Sequence, residues 1–193
     1  MTAVPAAIWL LGLYAAAPAL RSRPTYDFAD RLRDTLILGV AIPFALGFLH
    51  ALYWGTCWGA LLLCIAIAIW RSRSSRSAAS ENAAQPAPYL LIAALLLVAW
   101  PQLTRPLLDG DSLSYHLPNA AAWVHAHSLW IATTRYWWYP PASELFASAL
   151  YAVGSPFALP WCGFGALALL GFRIAAWSRE ALSASPRLAD ALA

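Results

Sequence analysis

Apolar and polar positions along the chain fall into long blocks, and the blocks set the predicted elements. Ala3 to Leu20 runs without a charged side chain and ends at Arg21 and Arg23. From Thr35 to Trp70 there is no Asp, Glu, Lys or Arg over 36 residues. As one helix that stretch would reach ~54 Å, nearly twice the ~30 Å hydrocarbon core of a bilayer. It must therefore fold back, and Tyr53 to Thr56 is the predicted turn, giving spans near 35–53 and 56–70. Gly55 and Gly59 form a GxxxG at that turn, read as a close-packing device between helices.

Residues 71–88 are polar, low in complexity and end in prolines, which predicts a flexible linker. A fourth apolar run spans Tyr89 to Thr104, with Leu107 and Leu108 able to prolong it. A fifth runs from Pro156 to Trp177. The segment between them is different in kind. Arg105 to Pro141 holds three of the four histidines, two aspartates and Trp123, Trp130, Trp137 and Trp138. Indoles gather at membrane–water boundaries because the ring is apolar and its N–H wants a partner. Short amphipathic helices lying along the surface are predicted there. Pro140 and Pro141 open one more helix that stops at Gly154. Its length of ~20 Å is too short to cross. Leu145 with Ala149, and Phe146 with Leu150 and Val153, give it an apolar face suited to half-burial.

Composition agrees with the pattern. The 193 residues are 61% hydrophobic and 11% charged, with a mean hydropathy of +0.59. A soluble domain averages ~25% charged residues. An ordinary water-soluble fold, a disordered tail and a nucleic-acid-binding module are excluded on that ground. The net charge of +3 comes from twelve arginines and no lysine. Five spans put ten arginines on one side and only Arg105 and Arg135 on the other. By the positive-inside rule the N-terminus lies outside and the C-terminus in the cytoplasm.

The predicted fold is thus an all-α integral membrane protein with about five transmembrane helices and amphipathic juxtamembrane helices in one long outer loop. Three N-terminal helices occupy 1–70 and the cytoplasmic linker 71–88. The unit 89–177 is a span, an acidic outer loop (105–155) and a span, and 178–193 is a cytoplasmic tail. Cys57, Cys64 and Cys162 lie in apolar runs without ligand spacing and read as small buried hydrophobes. His50 reads as a packed residue inside a span, and His125 and His127 as surface residues.

Functional groups concentrate in the outer loop. Asp109 and Asp111 follow a span directly, at the lip of the bilayer, where an unpaired carboxylate is costly. Three uses compete at this point: an ion pair with Arg105, a turn at Asp109-Gly110 or a helix N-cap at Asp111 or Ser112, and chemistry. A divalent metal on Asp109, Asp111 and His116 is chemically compatible, but the spacing matches no strong ligand motif.

The string DSLSYHLP (Asp111 to Pro118), about 25 residues ahead of YPPASE (Tyr139 to Glu144), resembles the first outer loop of the GT-C membrane glycosyltransferases. These include the protein O-mannosyltransferases and the lipid A aminoarabinose transferases. The likeness covers 89–177. Many relatives carry Asp-Glu where this chain has Asp111-Ser112, and three additional spans come first here.

The resemblance implies a sugar donor on a polyprenyl phosphate, met at the outer face of a bacterial inner membrane, with no firm cofactor. It implies Asp111, beside Asp109, as the catalytic carboxylate acting as general base, and Tyr115, His116, Arg105, Arg135, Tyr139 and Glu144 as substrate-binding residues. A phosphate leaves as a stable anion and needs no general acid, so one carboxylate suffices to take the acceptor's proton. A glycosidase expelling an alcohol uses two. Relatives have many more spans, so the chain is expected to be an N-terminal fragment needing the remaining part or a partner subunit. The alternative is a non-enzymatic multi-span subunit, a scaffold or transport accessory.

Overall fold

The computed structural model describes residues 4–20, 28–74, 93, 96, 97, 100, 112–131, 142–154 and 159–184. Every element among them is helical, and there is no strand. Helix α1 (Val4–Ala16) continues into a 3₁₀ turn (Ala17–Leu20), followed by α2 (Phe28–Phe48) and α3 (Trp54–Ser74). A π-helical turn (Ser112–His116) leads directly into α4 (Leu117–Ala126). Helices α5 (Ala142–Val153) and α6 (Leu159–Ala184) complete the bundle.

Long apolar blocks give helices here because each helix has two apolar faces, one turned inward and one outward. On α1 the inward stripe is Ala6, Trp9, Leu13 and Ala16, spaced three and four apart, while Val4, Ile8 and Leu11 are exposed. On α3 Cys57, Leu61 and Ala68 are buried, while Leu62, Leu63, Ile69 and Trp70 face outward. Helix α1 packs on α2 and α3, and α2 packs on α6.

Helix α5 contacts α1, α2, α3, α4 and α6, and every residue from Glu144 to Leu150 is buried. Small residues make that enclosure possible. Ala147, Ser148 and Ala149 keep the helix narrow, and on α2 Gly39 lets the Phe146 ring lie directly on the backbone. Trp9 meets the same ring edge-on, with centroids 6.3 Å apart at 87°.

Several expected boundaries are corrected. Helix α2 begins at Phe28, so Asp30, Arg31, Arg33 and Asp34 sit inside its first two turns and are not in a loop. They tolerate this because they pair. Arg33 bridges Asp30 (2.8 Å) and Asp34 (2.9 Å), and Arg173 of α6 donates to Asp30 at 2.7 Å. Burial alone would push the Asp30 carboxyl up. The Arg173 hydrogen bond and the Arg33 charge outweigh it and hold Asp30 below its ordinary range. Its contribution to stability is therefore complete above about pH 4 and is lost as pH falls through the lowered value.

The turn between α2 and α3 comes at 49–53, ahead of the predicted Tyr53–Thr56, because Thr56 caps from within the next helix. Its hydroxyl donates to the carbonyl of Ala51, and accepts from Tyr53 N–H at 3.1 Å. Gly55 and Gly59 consequently lie on α3 with open space beside them, not at a packed turn. His50 is exposed in that turn at φ 56°, not inside a span. Helix α3 runs on to Ser74, past the predicted linker start, and Arg71 donates to the carbonyl of Ala19. Helix α6 likewise extends to Ala184, into the predicted tail.

The predicted surface helix at 142–153 is the most enclosed helix of the bundle. Among the described residues one helix, Trp54–Arg73, is long and apolar enough to cross a membrane, while Val4–Leu20 and Leu159–Ile174 are apolar but shorter. Of the predicted fourth span only Ala93, Leu96, Leu97 and Trp100 lie among the described residues, and they are helical.

The packing around Phe146 predicts a graded response to substitution. Trp9→Ala should cost about 3–5 kcal/mol through the cavity it opens. Trp9→Phe should cost less than Trp9→Ala because it keeps an aromatic ring and opens a smaller cavity, and among the described residues the buried indole N–H has no hydrogen-bond partner to lose. Gly39→Ala should cost about 1–3 kcal/mol by driving a methyl group into the Phe146 ring. Equilibrium unfolding of the three variants in the same detergent ranks them.

Candidate functional site

Of the predicted site residues, Arg105, Asp109, Asp111, Arg135 and Tyr139 lie outside the described residues. Tyr115, His116 and Glu144 lie within them, and the structure brings the last two together. Asp111 immediately precedes the π-helical turn that ends at His116. That turn hands over to α4 at Leu117, with Pro118 in the first helical turn, where its missing N–H costs nothing.

Across the interface between α4 and α5, His116 Nδ1–H donates to Glu144 Oε1 at 2.8 Å. An ionised carboxylate only accepts, so this bond fixes the proton of the imidazole on Nδ1. Ser143 Oγ–H donates to the other oxygen, Oε2, at 2.7 Å. The Glu144 side chain is 3% exposed and the His116 side chain 24%. Glu144 is the third residue of α5, so the positive end of the helix dipole also favours its charge. The Tyr115 ring lies against the imidazole, with centroids 4.0 Å apart at 43°.

Such a group can hold an imidazole in a fixed plane with one nitrogen anchored. Enzymes use that arrangement to carry a proton, to donate to an anion or to ligate a metal. Among the described residues no group of three or more His, Cys, Asp or Glu side chains is placed to hold a metal ion.

A second set of bonds fixes the far end of α4. His127 takes the left-handed conformation at φ 55° and closes the helix. Its carbonyl accepts from Leu52 N–H (3.2 Å), and its Nδ1–H donates to the carbonyl of Leu52 (3.1 Å). Leu129 N–H donates to the carbonyl of Gly47, and the Trp130 indole donates to the carbonyl of Phe48. The Tyr53 ring stacks on His127 at 3.8 Å. His127 is therefore a structural clamp between α4 and the α2–α3 turn, which corrects its expected place as a plain surface residue. His125 is exposed, as expected. The spacing of polar residues gave no warning of the clamp, because most of its acceptors are backbone carbonyls.

The chain matches no protein-family model, no curated protein and no solved structure.

Pairing of a buried carboxylate with a histidine predicts strong coupling. Glu144→Ala and His116→Ala should each cost about 2–4 kcal/mol. A double-mutant cycle should return a coupling energy of about 1–3 kcal/mol. Strictly additive losses in unfolding experiments would show that the two side chains do not depend on each other.

Proposed function

We propose that the chain is a membrane glycosyltransferase of GT-C type, or its N-terminal part. It transfers a sugar from a polyprenyl-phosphate donor to an acceptor on the outer face of the membrane, with Asp111 as general base. The observation that carries this proposal is the His116–Glu144 bond. It ties the turn directly after Asp111 to the most enclosed helix of the bundle. A general base at the edge of a bilayer needs such support, because a misplaced base loses most of its rate advantage.

The exterior of the bundle supports the membrane setting. Leu11 (70% exposed), Leu62, Leu63, Phe44, Leu170 and Trp177 present large apolar side chains outward on α1, α2, α3 and α6. Soluble monomers rarely leave large apolar side chains exposed side by side on several helices. The donor class is taken from the resemblance of the Asp111–Pro118 and Tyr139–Glu144 strings, and a bilayer setting is compatible with it, since a polyprenyl carrier is met there. The acceptor's proton passes to the Asp111 carboxylate as the new glycosidic bond forms. The bond from the anomeric carbon to the phosphate oxygen breaks, and its electron pair stays on the phosphate.

Asp111→Asn in the full protein should lower sugar transfer by roughly 10²–10⁴-fold at unchanged membrane level. Wild-type transfer in that variant removes Asp111 from the mechanism and leaves a non-enzymatic subunit as the better account. Single cysteines tested in a background without Cys57, Cys64 and Cys162 check the topology. A cysteine at position 80 should be shielded from an impermeant reagent in intact cells, and one at 125 should be labelled.

A further inference from the structure

Between α2 and α6 the surface opens into a groove of about 490 Å³. Leu36, Ile37, Val40, Ala41 and Phe44 line it from α2 and Leu169 from α6, and its walls are almost wholly apolar. The α2 positions recur three and four apart and so form one stripe. On that stripe Ala41 leaves a gap between Ile37 and Phe44, two side chains about half exposed.

Arg33 stands at one end of the groove. Its Nε and Nη1 are held by Asp34 and Asp30, while Nη2 is enclosed and has no hydrogen-bond partner among the described residues. Arg173, one turn beyond Leu169 on α6, reaches Asp30 at the same end. Arg31, Arg33 and Arg173 outnumber Asp30 and Asp34 there, so an apolar groove ends at a net cationic cluster with one donor unmet.

The dimensions select what fits. From Arg33 to Phe44 the helix rises ~16 Å, and half of the ~30 Å hydrocarbon core, the depth of one leaflet, is about that length. A membrane-spanning partner helix needs the full depth and is ~10–12 Å across, too thick for a groove of this volume. A single acyl chain runs the depth of one leaflet and needs no polar group along its length. We infer that the groove seats one acyl chain of an anionic phospholipid, whose headgroup lies against the arginines at the Arg33 end. The inference uses the membrane setting proposed above and none of its glycosyl-transfer chemistry.

The full chain, purified in detergent and stripped of lipid, is titrated with phosphatidylglycerol or with zwitterionic phosphatidylcholine. Bound lipid is counted by native mass spectrometry. One phosphatidylglycerol should be retained, and phosphatidylcholine at least about tenfold more weakly, because its headgroup carries no net charge to complement the cluster. Ala41→Phe fills the groove without touching the ion pairs. It should weaken phosphatidylglycerol retention by at least about tenfold, the worth of about two displaced methylenes. Helical content and unfolding temperature of the variant are followed. If it fails to fold, wild type is photolysed with a phosphatidylglycerol bearing a diazirine on its acyl chain. Labels should then concentrate on residues 36–44 and Leu169, above those on the exposed Leu62 and Leu63 of α3.

Equal retention of the two lipids, or equal retention by wild type and Ala41→Phe, overturns the inference. So does labelling spread evenly over α1, α2, α3 and α6, which is the result of unselective solvation by lipid. A dimer that Ala41→Phe splits into monomers makes the groove an interface between copies and overturns it too. Each of these results leaves the glycosyltransferase proposal standing, and Asp111→Asn should retain phosphatidylglycerol as wild type does. Protein that stays monodisperse without detergent and retains no phospholipid overturns the inference and the membrane setting together.

Discussion

A charged side chain can sit in the middle of a helix bundle only if hydrogen-bond donors reach it there. Glu144 meets that condition through one neighbour in sequence, Ser143, and one residue 28 positions away, His116. Most of the architecture around α5 follows from this. The helix is enclosed from Glu144 to Leu150, so its other buried polar side chain, the Ser148 hydroxyl, must be satisfied within the helix, and it donates to the carbonyl of Leu145 at 2.8 Å. Its neighbours must approach closely, which is why glycine stands at position 39 and small residues fill one flank of α5.

The same logic operates at the opposite end of α2. Asp34 is 1% exposed and is tolerated because the Arg33 guanidinium lies beside it. Arg173 reaches Asp30 from α6. Arg33 pairs within α2, whereas the Arg173–Asp30 bridge joins two helices far apart in sequence. Apolar burial supplies most of the cohesion of the bundle, and the few ionic groups select which helix faces meet. A purely apolar interface would allow rotations of a helix that a buried pair forbids.

The helices themselves were legible in the sequence, because an uncharged run with a turn in it has few other ways to satisfy its backbone. The ends of α2 and α3 were misread for a definite reason. Charged residues mark helix ends only when they are unpaired, whereas Asp30, Arg33 and Asp34 pair with one another within the helix and Arg71 is absorbed by the carbonyl of Ala19. The enclosure of α5 was invisible because its pattern of apolar residues is that of a half-exposed helix. Only its long-range partners reveal that Glu144 and Ser148 are satisfied indoors. His116 and Glu144 were each singled out through their place in a motif, but nothing in a linear pattern states that two residues 28 apart share a hydrogen bond. The clamp at His127 was missed for a related reason: backbone carbonyls accept most of its bonds, and every residue has one of those.

The long reach of the His116–Glu144 bond has a consequence for the order in which the molecule assembles. His116 leaves the ribosome before Glu144, so the imidazole waits for a partner that does not yet exist. Only when α5 has docked between α2 and α4 does the carboxylate find its second donor. A chain in which α5 settled elsewhere would keep an uncompensated anion in an apolar setting and pass back over that barrier until it was corrected. The bond thus fastens the turn at 112–116 only after α5 is in register.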